Sequence, residues 1–323
     1  MFQKERPYGR VSEMMTTKIR EAAYRMILPV LFSAAVFLCA AAVSSSGIPG
    51  KAEPQPEIPV ILEKELEREY ISSFEPDIVS SYDPLRPSYM GGNCGKAEGT
   101  YTAVVLFADD DVSSWTEEEA EDVFLSQIVP GLRWIENEAS GYGVYLSFET
   151  VSFVGDGHGL PVRYGGTVNP DYRNSGTEYD ILDSIAKGRG LGSGWELYAL
   201  MSMRYGRDDV VFIVVFNKQG VGRTIALSGG TGEGMAEHSV LFADRDPGSG
   251  AVAAAHETLH LFGAEDLYEG SERPSMAREY YPDDIMLVNP GDPEMCRTGD
   301  YTAFTVGWTD TVPEVCRYDG WYR

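Results

Sequence analysis

The run "DDVVFIVVFN" at residues 208–217 narrows the fold more than any other stretch of the chain. From Val210 to Phe216 every residue is apolar and most are β-branched, so no face is left for water. Such a run reads as a strand buried on both sides at the centre of a sheet. Around it, strand-like and helix-like segments alternate. "TYTAVVLFADDD" is an apolar strand ending in an acidic turn, "GVYLSFETVSFV" alternates as a half-exposed strand, and "GRTIALSGG" and "HSVLFAD" supply two more. "SSWTEEEAEDVFLSQIVPGLRWIENEAS" opens with a Ser/Thr cap and an acidic first turn, then shows helical periodicity. "EYDILDSIAKG", "WELYALMSMRYG" and "GSGAVAAAHETLHLF" read as further helices. Loops and turns follow, with "DYTAFTVGW" as the last helix. The expectation is an α/β (α+β) fold, a mixed sheet packed against long helices, in one domain at residues 98–323.

What precedes that domain points to export. After a basic N-terminal segment at residues 1–25, residues 26–43, "MILPVLFSAAVFLCAAAV", form an uncharged apolar run. Lys18, Arg20 and Arg25 lie ahead of it, the pattern of a signal peptide or an N-terminal membrane anchor. Initiation at Met14 or Met15 would give a signal of ordinary length. Residues 44–97, opening with "SSSGIPGKAEPQPEIPV", read as an extended Pro/Glu-rich tether. An extracellular or cell-surface location follows as the expectation.

The formal charge of −24 argues against nucleic acid and anionic membrane surfaces as partners. Outside the apolar run the cysteines are Cys94, Cys296 and Cys316, an odd number for an oxidising compartment. Cys296 and Cys316 are the natural local pair. Cys94, in "GGNCGK", invites a latency role in which its thiolate caps a metal, although a boundary cysteine is the better reading.

The chemistry concentrates in "HETLHLFGAEDLYEG". Positions i and i+4 of a helix lie on one face about 6 Å apart along the axis, so His256 and His260 can converge on one ion. Glu257, rotated about 100° from His256, can reach a water on that ion rather than the ion itself. This is the logic of H-E-x-x-H, two zinc ligands and a general base. On a continued helix Asp266 would lie about 9 Å beyond His260 and rotated some 240°, pointing away. Either Asp266 or its neighbour Glu265 can ligate only if the chain leaves the helix and doubles back. Gly263 is where that turn is expected, because glycine accepts the left-handed conformation that ends helices.

The resulting spacing, H-E-x-x-H-x-x-G-x-x-D over residues 256–266, resembles the zinc-binding consensus of the metzincin metalloproteases. The usual third ligand there is histidine, and some small secreted bacterial members carry aspartate, which places the ligand on Asp266. The resemblance also implies a methionine turn beneath the metal, matched by Met286 in "YPDDIMLVNP", and the order mixed sheet, edge strand, active-site helix, Met-turn, C-terminal helix. One departure is that several members have a tyrosine two residues after that methionine, where this chain has Val288. Tyr280 and Tyr281 precede the turn instead. Elsewhere, His158 with Asp156 in "VGDGHGLP" suits a glycine-rich loop better than a second metal site, and His238 beside a strand reads as structural.

Two imidazoles and a carboxylate leave the fourth position of Zn2+ to water, the open geometry of a catalytic site. The functional expectation is a secreted or surface-anchored zinc endopeptidase with Glu257 as general base, acting as a monomer on peptide or protein substrates. Under the resemblance, the substrate lies antiparallel to an edge strand, for which "GRTIALSGG" is the candidate. A zinc amidohydrolase acting on cell-wall or glycan amides and a non-catalytic binding module braced by zinc are the other two classes considered.

Overall fold

In the computed structural model the described residues are 68, 71, 94–155, 161–170, 177–205, 210–220, 222–225, 236–270, 272–318 and 321. The apolar run at 26–43, most of the tether at 44–97, and Asp156 and His158 lie outside them. Among the described residues no helix is long and apolar enough to cross a membrane.

Strand β1 (Gly99–Ala108) leads into a long helical stretch made of α1 (Glu117–Val123), a π turn (Phe124–Ile128) and α2 (Val129–Gly141). Then come β2 (Leu146–Val154), α3 (Ile181–Gly188), α4 (Gly194–Tyr205), β3 (Val210–Phe216), β4 (Arg223–Ile225), β5 (His238–Phe242) and α5 (Pro247–His260). Two short helices, α6 (Arg273–Tyr280) and α7 (Asp300–Thr305), follow. The five strands form one sheet in the order β2-β1-β3-β5-β4, with β4 antiparallel at one edge and the other neighbours parallel. This is a mixed α/β architecture.

The central run behaves as its composition demands. β3 lies between β1 and β5 and every residue in it is buried. Because side chains alternate along a strand, it feeds two separate cores. Val211, Ile213 and Val215 join Ala103, Val105 and Phe107 of β1 on one face, under α1, α2 and α5. Val210, Phe212, Val214 and Phe216 join Val104 and Leu106 on the other, under α3 and α4. Helices thus cover both faces, and the site forms on the α5 side.

The start of the long helix shows both halves of a capping box: Thr116 Oγ1 accepts from the Glu119 N–H while the Glu119 carboxylate accepts from the Thr116 N–H. The expected single helix is interrupted by the π turn just ahead of Pro130, which has no N–H to continue the ladder. α6 falls where only loops and turns were expected. Ala277 is its one buried residue, so it carries no apolar periodicity to read.

Described packing reaches ahead of residue 98: Ile71 packs against the α3–α4 core, and Cys94 is buried. The Ala97 N–H donates to Val306 O at 3.0 Å, and Trp308 Nε1 donates to Ala97 O at 2.9 Å. Cys296 and Cys316 are not joined to each other, so the expected local disulfide is absent. Burial, with Asp284 and Asp292 nearby, pushes the Cys296 thiol up to about 11, which leaves it unreactive at neutral pH.

α5 approaches α2 and the π turn closely because small residues line the contact. A Cβ at Gly131 would sit 2.6 Å from Ala251 O and 3.0 Å from Ala254 Cβ. Gly131→Ala is therefore expected to cost about 1–3 kcal/mol through overpacking. Urea denaturation measures it, and an unchanged midpoint would contradict this helix contact.

Candidate metal centre

α5 begins at the Asp246 cap, whose side chain accepts from the Gly248 N–H, and its regular turns end at His260. The chain then closes as a Schellman motif around Gly263, which has φ 94°. The Gly263 N–H donates to His260 O at 3.0 Å and the Ala264 N–H donates to Leu259 O at 3.2 Å. This left-handed turn reverses the chain and returns Asp266 to the helix face carrying the histidines.

His256, His260 and Asp266 are the one group among the described residues whose side chains could together hold a metal ion. Their facing atoms make a nearly equilateral triangle. The two Nε2 atoms are 3.1 Å apart, and Asp266 Oδ1 lies 3.1 Å from His256 Nε2 and 3.2 Å from His260 Nε2. Ligand atoms on a tetrahedral zinc with bonds near 2.0–2.1 Å are separated by roughly 3.3 Å.

The opposite ring nitrogens decide which protons are present. His256 Nδ1 lies 2.9 Å from Ile285 O, and His260 Nδ1 lies 2.8 Å from Ala264 O. A carbonyl oxygen only accepts, so each Nδ1 carries a hydrogen, and a neutral ring then turns the lone pair of Nε2 into the triangle. Asp266 Oδ1 is buried there, with the two Nε2 atoms as its near polar neighbours. Three electron-rich atoms facing one another call for a cation, either a proton or a metal ion.

The electrostatics agree. Burial would lower His260, but its bond to Asp266 and the charges of Glu257 and Asp266 raise it to about 9. Burial would likewise raise Asp266, yet His256 and His260 pull its carboxyl well below the ordinary range.

Residues 284–288 back this triangle. Ile285 receives His256 Nδ1–H, and Met286 O accepts the Leu267 N–H at 2.9 Å, next to Asp266. Met286 itself is fully buried. The turn is held by Asp284, whose carboxylate accepts from the N–H groups of Met286 and Gly299 and from Thr302 Oγ1. Burial drives the Asp284 carboxyl up to about 6, against these three hydrogen bonds.

Glu257 is buried beside the edge strand. A Cβ at Gly222, just before β4, would lie 2.9 Å from Glu257 Cγ and 3.0 Å from Glu257 Oε1, so the Glu257 side chain lies close against the backbone there. Gly222 only opens the strand-like stretch "GRTIALSGG", and nothing in the sequence marked this close approach. Tyr268 is a second residue that the motif did not mark. Its half-exposed ring stacks on His256 with centroids 6.2 Å apart and planes 13° apart. An aromatic two residues after Asp266 in a loop carries no pattern that would reveal this.

Other candidates fall elsewhere. Glu265 turns away from the triangle and binds Tyr301 and Arg273. The Tyr280 hydroxyl meets that of Tyr318 at 3.3 Å, and the Tyr281 ring packs edge-on against Trp321. His238 is fully buried in β5, its Nδ1 3.0 Å from Ala236 O. Cys94 is buried with its thiol 3.9 Å from Val210 O and its N–H on Glu237, so it packs at the start of β3 and not with His256, His260 and Asp266.

No protein-family model matches the chain, and no curated protein matches it in sequence.

The raised His260 gives the site a pH signature. The folded metal-free protein binds this proton more tightly than the unfolded chain, whose histidine titrates near 6.5. The stabilisation is complete below that pH and lost as pH rises through about 9. A metal ion entering the triangle must displace the proton. Calorimetry of Zn2+ binding in buffers of different ionisation enthalpy should show about one proton released per ion at pH 7, vanishing well above pH 9. Binding without proton release at pH 7 would contradict the assignment.

Proposed function

We propose that the protein is a zinc-dependent endopeptidase of metzincin type, exported or held at the cell surface. The observation that carries this reading is the triangle of His256 Nε2, His260 Nε2 and Asp266 Oδ1, with a buried glutamate adjacent to its first histidine. Supporting it are the closure at Gly263, the turn at 284–288 behind the ligands, and the sequence of sheet, antiparallel edge strand, helix, turn and short final helix.

His256, His260 and Asp266 would hold the ion. When bound, zinc supplies a Lewis acid that polarises the scissile carbonyl and acidifies water. Glu257 accepts the proton of the attacking water and delivers it to the leaving amine. Its carboxylate lies against Gly222, just before β4, the edge along which an extended peptide would add by strand pairing. Tyr268, half-exposed and stacked on His256, is the aromatic side chain proposed to meet substrate, whereas Val288 has no hydroxyl to offer.

Glu257→Gln is expected to keep zinc bound at wild-type stoichiometry while peptide hydrolysis falls by at least about 100-fold, the usual scale of general acid–base catalysis. Digestion of a mixed peptide library with and without chelator measures this. Full proteolysis by the purified variant would contradict the role of Glu257, and chelator-resistant cleavage by the wild type would contradict the metal's.

A further inference from the structure

The loop that presents Asp266 is irregular, and a ligand on such a loop is placed only as well as the loop is held. The Ala264 N–H on Leu259 O and the Leu267 N–H on Met286 O fix its two ends. Between them the hold comes from side chains. Glu265 Oε2 accepts from Tyr301 Oη at 2.7 Å and pairs with Arg273 Nη1 at 2.8 Å. The same Nη1 lies 3.5 Å from Asp266 O, while Arg273 Nε donates to Trp321 O at 2.9 Å. The guanidinium also faces the Trp321 ring, its Cζ 5.8 Å from the centroid. Tyr301 and Trp321 are fully buried and meet edge to face at 4.8 Å.

From this arrangement we infer that Glu265 and Arg273 are positioning residues for the third metal ligand, forming a clamp that sets the reach of Asp266 toward His256 and His260. The inference rests on the metal reading above. Neither side chain belongs to the metal triangle, so both act through Asp266. The two charged groups are only 15% and 20% exposed, which makes this pair stiffer and less screened than an ion pair in open solvent. The planar fork of arginine is required, because Nε and Nη1 hold Trp321 O and Glu265 at once. Lysine has one ammonium and cannot reproduce both bonds in that geometry. The clamp also ties the metal loop to α7 through Tyr301 and to Trp321, elements that contribute no ligand of their own.

The test is zinc affinity at pH 7, by competition of the purified full chain against a chromophoric chelator, with the d–d spectrum of the Co2+-loaded protein as a geometric readout. Glu265→Gln and Arg273→Lys are each expected to weaken zinc binding about 10- to 100-fold, the range for residues that support metal ligands, and to alter the Co2+ spectrum. The double variant should lose little beyond the worse single, because both residues act in one clamp. Metal-free thermal unfolding should stay cooperative, and Arg163→Ala, which breaks only the exposed pair with Asp111, should bind zinc as the wild type does. If Arg273→Lys does not fold, the near-isosteric Glu265→Gln carries the test alone. Wild-type affinity and spectrum in a folded Glu265→Gln would overturn the clamp while leaving the metal reading intact. A wild-type protein that takes up no zinc would overturn the metal reading and the clamp with it.

Discussion

Everything at the site depends on holding three lone pairs within 3.2 Å of one another without letting them part. Such a cluster is costly in a folded protein until a cation enters it, so the surrounding structure must enforce it. Each imidazole is oriented by a backbone carbonyl on its far nitrogen. Those carbonyls, Ile285 O and Ala264 O, come from segments beyond the helix that carries the rings. The helix sets the histidine spacing, but the return of the chain sets which nitrogen points inward. Asp266 is brought by the same return, so one glycine turn governs both the Asp266 carboxylate and the tautomer of His260.

The remainder of the fold gives this return something rigid to close against. β3, buried on both faces, divides the molecule into two cores, and α5 lies on one of them against α2. Glycine and alanine at that contact let the helix backbones approach closely, fixing the depth at which His256 and His260 emerge. Asp284 then fastens the turn at 284–288 to the start of α7 through Gly299 and Thr302, so that the carbonyl orienting His256 is itself anchored. Support passes from sheet to helix to turn, each layer narrowing the freedom of the next.

How much of this could be read in the residues follows from what each feature depends on. β1, β3 and β5 were legible because continuous apolar runs have few alternatives, and α5 because its small residues precede an i, i+4 histidine pair. Helix geometry left Asp266 and Glu265 both open, and the resemblance at the H-E-x-x-H-x-x-G-x-x-D spacing pointed to Asp266; the structure turns the Asp266 carboxylate into the triangle and the Glu265 carboxylate away. α6 was hidden because a helix with one buried residue has no periodicity. The π turn was hidden because a proline inside a helical pattern does not say how the ladder adjusts. The partners of Glu265 are 8 and 36 residues away, and Glu257 meets Gly222 only once β4 is folded beside α5. These contacts are products of tertiary packing, with no local pattern to announce them.

The proposed role of the triangle is to hold a divalent metal. X-ray absorption at the zinc edge, on protein purified without added metal and analysed for metal content, addresses it most directly. One zinc per chain is expected, with a first shell of nitrogen and oxygen at about 2.0–2.1 Å, an outer-shell imidazole signature, and no sulfur at about 2.3 Å. A metal-free protein that takes up no zinc on reconstitution would contradict the claim, as would a shell dominated by sulfur.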